Sequence, residues 1–260
     1  MTLDFFNHRT LQKEDGSGSG SDMEGAGPHQ HEKARAVFDK MKSHTVPYEE
    51  LVGKFNITIL PGVFSPRYFA DSLVFAEALA EIVGKRRMLE VGCGTGIISL
   101  YCAKAGARVV SGDINPAAVE NTKLNAEKFG LTIDVRVGDI YAAIQPDEKF
   151  DVIFWNHPFN RSDAPEKEVL LRAGFDEQYA SLRKYVSEAR EHLAEGGQLL
   201  LGTGSIADLE EVERIASEND YKLTLLKEKE VPFEIGKPET IRDIIYRLDS
   251  VEKVPRETNR

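Results

Sequence analysis

The sequence predicts an α/β fold: a doubly wound, mostly parallel seven-stranded sheet with one antiparallel strand, preceded by an N-terminal helical extension. Three observations predict it. From residue 86 on, short apolar runs alternate with stretches of helical period, the mark of a parallel sheet covered on both faces. A glycine-rich turn, Gly92-Cys93-Gly94-Thr95-Gly96, follows the first apolar run directly and opens a helix. Two strand-like runs then close the chain as a hairpin, which turns one strand antiparallel.

Residues 1–28 are set aside as a disordered peptide and linker. Gly16 to Asp22 read GSGSGSD, a coil with no side chains to bury. It separates Met1–Asp15 from a second methionine, Met23. That arrangement reads as a short peptide joined by an engineered linker to an enzyme starting at Met23, with a natural tail as the alternative. From His31 to about Lys54 the pattern is helical, with Ala34, Val37, Phe38 and Met41 on one stripe. Phe55 to Arg67 is extended, and Ala70 to Val83 is a second helix, so residues 29–85 form the extension.

Residues 86–250 form the sheet domain. Strands are expected at Met88–Val91, Arg108–Ser111, Thr132–Val137, Phe150–Trp155, Gln198–Gly202, Tyr221–Val231 and Thr240–Leu248. Helices are expected at Ile97–Ala105, Pro116–Phe129, Glu177–Ala194 and Leu209–Glu218, the third stopped by Gly196-Gly197. Asn160 to Phe175 is polar and irregular, about the length of a lid or substrate loop. Residues 251–260 are a tail.

Composition narrows the class of function. Apolar residues make up 41% and charged residues 29%, as in ordinary soluble domains. No apolar run approaches the roughly 20 residues that span a bilayer, and the first residues lack a signal peptide's apolar core. Cys93 and Cys102 fall in a buried strand, loop and helix, which suits a reducing cytoplasm. The net charge of −10, with Lys85-Arg86-Arg87 as the longest basic run, disfavours a polyanionic partner. His29 and His31 are too few ligands for a metal site, so no metal is expected. The oligomeric state stays open.

The ends of three successive strands offer a nucleoside cradle. In such sheets ligands bind at the carboxyl ends of the strands, where the order reverses. The glycine loop ends the first strand, and its glycines let the backbone approach a ligand. Asp113 ends the second and is placed to accept from ribose hydroxyls. Asp139 ends the third and is placed to accept from an adenine amino group, with Ile114 and Ile140 against the ring faces.

Glu90-x-Gly92-x-Gly94-x-Gly96, Asp113 and Asp139 resemble motifs I, II and III of class I S-adenosylmethionine (SAM)-dependent methyltransferases, which have a Rossmann-like sheet. The resemblance covers about Val46 to Leu248. It implies SAM as cofactor, with Gly92, Cys93, Gly94 and Gly96 beside its methionine part. Asp113 would take the ribose and Asp139 the adenine, and Glu90 would order the loop and the amino-acid end. A nicotinamide-dinucleotide domain is disfavoured, because its fingerprint spaces the glycines as G-x-G-x-x-G.

The fourth strand ends in Asn156-His157-Pro158-Phe159. This resembles motif IV of amino-methylating enzymes, Asn/Asp-Pro-Pro-aromatic, with His157 replacing the first proline. A nitrogen with a delocalised lone pair is a poor nucleophile. If Asn156 Oδ1 and the His157 carbonyl accept its two N–H bonds, the lone pair aims at the methyl group, and charge developing on nitrogen is favoured. Pro158 keeps His157 out of the α region, and Phe159 is placed to stack on a flat acceptor. The His157 imidazole is expected at the rim, with contact to substrate or action as a base as the alternative.

The lead-in Leu60-Pro61-Gly62-Val63-Phe64-Ser65-Pro66 with Asp71-Ser72 resembles that of the small-domain methyltransferases, including protein-glutamine and ribosomal RNA guanine-N2 enzymes. The resemblance implies that residues 29–85 cover SAM and substrate, with Phe64, Pro66 and Arg67 shaping the acceptor pocket. Arg161 is a further candidate for an acidic group on the substrate. The expected activity is N-methyl transfer to a protein or peptide side chain or a small molecule. A nucleic-acid base is the alternative acceptor, and a non-catalytic SAM-binding module the other competing reading. Asn7, His8, Arg9 and Gln12 make the leader itself a candidate acceptor.

Overall fold

The structure, a computed structural model, describes residues 28–251. The expectations attached to residues 1–27 and 252–260, including the linker, the leader as acceptor and the tail, lie outside the described residues. Helix α1 (Pro28–Lys42) is followed by a hairpin of β1 (Tyr48–Val52) and β2 (Phe55–Ile59), then α2 (Asp71–Val83). Next come β3 (Arg87–Val91), α3 (Ile97–Lys104), β4 (Arg108–Asp113), α4 (Pro116–Lys128), β5 (Ile133–Val137) and β6 (Phe150–Asn156). A short parallel pair, β7 (Asn160–Ser162) and β8 (Phe175–Glu177), flanks a 3-10 turn at Leu171–Ala173. The chain continues through α5 (Ala180–Glu188), β9 (Leu193–Gly204), α6 (Leu209–Glu218), β10 (Tyr221–Pro232) and β11 (Thr240–Ser250).

Seven strands form one sheet in the order β10-β11-β9-β6-β3-β4-β5. β11 runs antiparallel to both neighbours, and the rest of the sheet is parallel. The chain leaves β3 toward β4 and later returns to its other side as β6, so the order reverses there and a crevice opens at the strand ends. Alternate residues of each strand enter two cores. Met88, Val152, Phe154 and Leu200 pack under α2 and α3 with Phe75, Leu79 and Leu100. Leu89, Ile153, Leu199 and Leu201 pack under α5 and α6 with Tyr179, Tyr185 and Ile215.

Three elements differ from expectation. The first helix stops at Lys42 rather than Lys54. Pro47 disfavours helix in the residue before it, and Gly53 (φ 58) turns the chain into a hairpin in which Val52 pairs with Phe55. The exposed edge of β2 is satisfied by two asparagines of α4. Asn121 Oδ1 accepts from Leu60 N (2.7 Å), and Asn125 Oδ1 from Thr58 N (2.9 Å).

The second difference is the Glu177–Ala194 helix, which shrinks to α5 and a 3-10 turn at Ala189–Glu191. Its start is set by Asp176, whose carboxylate accepts from Ser181 N and Leu182 N at 3.1 and 3.0 Å. Gly196-Gly197 is no helix stop; it lies in a bulge of β9, between the pairs Phe150–Leu193 and Val152–Gln198. The third difference is that the irregular segment after Phe159 carries the β7–β8 pair.

Helix α1 roofs the open end of the crevice. Ala34, Val37, Phe38 and Met41 pack on Leu170, Leu171, Phe175, Val231, Phe233 and Ile241. Ion pairs from Lys33 to Glu239 (2.8 Å), Lys40 to Glu234 (2.6 Å) and Lys42 to Glu168 (3.3 Å), and from Arg35 to Glu166, ring this contact. Exposed pairs contribute about 0–1 kcal/mol each, so the apolar face carries the docking. Gly174 is shaped to it: a Cβ there would lie 2.5 Å from the Phe38 ring. Gly174→Ala is therefore expected to loosen α1, read as faster hydrogen exchange over residues 28–42 with the sheet unchanged. No helix among the described residues is long and apolar enough to cross a membrane.

Candidate active site

The crevice at the ends of β3, β4, β5 and β6 is a cavity of about 1460 Å³ including its open mouth. One half is lined by Glu90 to Thr95, Asp113 to Asn115 and Gly138 to Ile140. The other half is lined by Asp71, Asn156 to Phe159, Asp243 and a set of aromatic rings that includes Phe38, Phe64, Phe69 and Phe233.

The glycine loop owes its shape to close approach. Gly92, Gly94 and Gly96 all have positive φ. A Cβ on Gly92 would meet Trp155 Nε1 at 2.9 Å, so the loop can lie against the end of β6 only with glycine there. Gly96 is not on the wall; it enters α3, and its N–H donates to the Cys93 carbonyl (2.7 Å). Cys93 is buried, lines the cavity and accepts from Thr122 Oγ1 at 3.3 Å.

Asp113 ties the loop to the next strand. Its Oδ2 accepts from Gly94 N (2.9 Å) and its Oδ1 from Asn115 N (2.8 Å). Each carboxylate oxygen retains a lone pair for ligand hydroxyls. Glu90 is fully enclosed and accepts from Ser99 Oγ. Burial, with the Asp113 charge nearby, pushes its carboxyl up to about 8 despite that hydrogen bond. Asp139 is half exposed and pairs with Lys184 at 3.3 Å, and Ile114 and Ile140 flank it on the wall.

The corner after β6 is held from three sides. Asn156 Nδ2 donates to Asp71 Oδ2 at 2.8 Å, which leaves Oδ1 buried without a partner. The Phe159 carbonyl accepts from Tyr179 Oη (2.7 Å), and the Phe159 ring lies where a Cβ on Gly204 would be 2.7 Å away. The His157 imidazole is not at the rim as expected. It is 1% exposed, bonded through Nε2 to Thr203 Oγ1 (2.8 Å) and set edge-on to Tyr179. Burial pulls it down to about 3, so it stays neutral and is a poor base; it anchors the loop from below.

Of the expected acceptor residues, Phe64 lines the cavity and stacks on Phe69 with ring centroids 5.5 Å apart. Pro66, Arg67 and Arg161 are not among its walls. Arg67 is exposed, paired with Glu50 (2.6 Å) and laid over Tyr48. Arg161 reaches Asp208 (3.3 Å) and Gln178. Both guanidiniums pair with groups distant in the chain, Glu50 of β1 and Asp208 before α6, which their sequence neighbours do not reveal.

The sequence reading missed two acids. Asp71, at the start of α2, is buried, and loss of solvent raises its carboxyl although Asn156 and Ser72 donate to it. Asp243 on β11 is 1% exposed, lines the cavity, and neither of its oxygens has a partner. Burial, and then the Asp71 charge, push it up to about 8. Its signal was in the strand period: Asp243 alternates with Arg242 and shares the inward face of Ile241 and Ile245.

A reversed parallel sheet with a glycine loop, a strand-end acid and a second acid beneath the loop is the donor crevice of a SAM-dependent methyltransferase. Residues 54–223 match the methyltransferase small domain family, and the chain belongs to that family. It is 31% identical to a protein of Methanocaldococcus jannaschii provisionally named as a protein N5-glutamine methyltransferase, over 69% of this chain and 91% of that one. It is 28% identical to the release factor glutamine methyltransferase of Koribacter versatilis, over 67% of each chain. Its fold is similar to that of the T. thermophilus 16S rRNA N2 methyltransferase solved with AdoMet and guanosine, with TM-score 0.56 and 22% identity over 79% of this chain and 50% of that one.

The Asp71–Asp243 pair has a consequence for stability. Its folded-state carboxyls lie above the ordinary value near 4, Asp243 at about 8. The native state thus holds more protons than the unfolded chain across that window, so stability falls as pH rises from about 4 to about 8. Asp243→Asn is expected to flatten that slope in thermal melts and to raise Tm at pH 8 by several degrees, about 2–4 °C per kcal/mol in a chain of this size.

Proposed function

We propose that this enzyme transfers the methyl group of SAM to a planar, delocalised nitrogen, in a protein or peptide side chain or in a small molecule. The observation that carries the reading is the orientation of Asn156. Because its Nδ2 is committed to Asp71, its amide oxygen is the atom left buried and unpartnered at the cavity wall. A buried acceptor without a donor costs about 1–3 kcal/mol, and an arriving N–H relieves that cost.

SAM, when bound, supplies an electrophilic methyl group on a sulfonium. The crevice fits it: the Gly92 backbone admits close approach, Asp113 keeps lone pairs for ribose hydroxyls, and enclosed Glu90 would hold the loop that receives the amino-acid end. Asn156 Oδ1 and the His157 carbonyl would accept the two N–H bonds of the acceptor nitrogen and hold its lone pair toward the glycine-loop half of the crevice. As N–C bond formation puts positive charge on nitrogen, those oxygens stabilise it, and the nitrogen then loses one proton to solvent. Phe159 and Phe64 confine the flat group. The cofactor residues are Glu90, Gly92, Cys93, Gly94, Asp113, Ile114, Asp139 and Ile140, with Gly96 shaping the loop from behind the wall; Asn156, His157, Pro158 and Phe159 form the reacting corner.

The relatives' names include both glutamine and guanine-N2 acceptors. The cavity wall carries five acids, Asp71, Glu90, Asp113, Asp139 and Asp243, against the single guanidinium of Arg172; Glu90 and Asp243 hold their protons near neutral pH, which leaves three to set the field. That field favours a neutral or cationic acceptor over a phosphate-bearing one.

Asn156→Ala is expected to lower methyl transfer by about 10²–10³-fold, as loss of one preorganised polar contact does. SAM affinity by calorimetry should change little. Undiminished turnover of labelled SAM by the variant would remove the nitrogen assignment.

A further inference from the structure

We infer that Asp243 selects the acceptor: the methylated group carries, beside the nitrogen held by Asn156, a second N–H-bearing cationic nitrogen, as in a guanidinium, an amidinium or a protonated amino-heterocycle. This deepens the reading of the site as an N-methyltransferase and rests on it.

Asp243 lies on β11, outside the donor half of the crevice, and no hydrogen bond holds either of its oxygens. Its neighbour in the cavity lining, Asp71, is spoken for by Ser72 N (2.7 Å) and Asn156 Nδ2 (2.8 Å). The two acids are close enough for their charges to interact. A side chain buried this completely with no partner is a standing cost in an empty site. The Asn156 amide oxygen is likewise unpartnered on the same wall.

Together these make a two-point acceptor of N–H bonds. One point is a neutral oxygen beside the methyl donor, and the other is an acid. Around them stand aromatic faces, with Phe64 stacked on Phe69 and Phe233 edge-on to Phe69 at 5.8 Å. Aromatic faces with an adjacent carboxylate favour a flat cation, through cation–π attraction and a charge-assisted hydrogen bond. Without a cationic partner Asp243 holds its proton; a flat cation draws that proton off and meets the carboxylate, which a neutral carboxamide has no charge to do.

The test titrates the full chain, saturated with S-adenosylhomocysteine and held at about pH 9 so that Asp243 is ionised, with three flat probes of one shape: benzamidine, benzamide and benzoate. Benzamidine is expected to bind at least roughly tenfold more tightly than benzamide, the worth of one hydrogen bond to a charged group, and benzoate weakest. Asp243→Asn should bring the benzamidine-to-benzamide ratio to about one while S-adenosylhomocysteine affinity is kept, which reports an intact fold.

Equal or tighter binding of benzamide, a ratio that survives Asp243→Asn, or no binding by any probe would overturn the inference. These probes are not turned over. A failure here therefore stands apart from a failure of the Asn156→Ala assay, which reads methyl transfer alone.

Discussion

The hydrogen bond from Asn156 Nδ2 to Asp71 Oδ2 couples two halves of the molecule that the sheet alone does not join. Asp71 begins the helix that covers the sheet, and Asn156 ends the strand that faces the donor crevice. A free asparagine amide presents either its nitrogen or its oxygen to a ligand with little preference. A carboxylate partner removes that freedom, because it accepts only. The chemistry proposed for the corner, acceptance of N–H bonds rather than donation, rests on that single contact.

The same contact explains why acids are tolerated where burial disfavours them. Asp71 gains two donors for its charge, so when two carboxylates approach each other the proton settles on the one without donors, Asp243. Glu90 is held on the donor side by Ser99 in a comparable enclosure. A chain selected for stability alone would have filled these positions with apolar side chains. Such groups persist where a ligand supplies the missing partner.

What was legible in the sequence was local. The glycine loop, Asp113, Asp139 and the Asn156–Phe159 corner sit at strand ends, where one short stretch sets both conformation and chemistry, and the alternation of strands and helices set the sheet. What escaped depended on partners distant in the chain. The hairpin at Tyr48–Ile59 draws its edge bonds from Asn121 and Asn125 of α4, and nothing within the hairpin announces them. Arg67 and Arg161 read as ligand-binding cations until Glu50 and Asp208 were found beside them. The imidazole of His157 turned inward because Thr203, on the adjacent strand, offered a hydroxyl. Asp243 was readable in principle, as a charge between Ile241 and Ile245 on the inward side of β11.

Helix α1 reaches the cavity through Ala34 and Phe38, and it rests on the segment around Leu170–Gly174 and on the β10–β11 turn, none of which belongs to the donor cradle. Walls built from peripheral segments can change length and composition while the strands that hold the nucleoside stay put. On the proposed reading, substitutions in α1 or the β10–β11 turn would alter what the cavity admits while leaving the glycine loop and Asp113 in place.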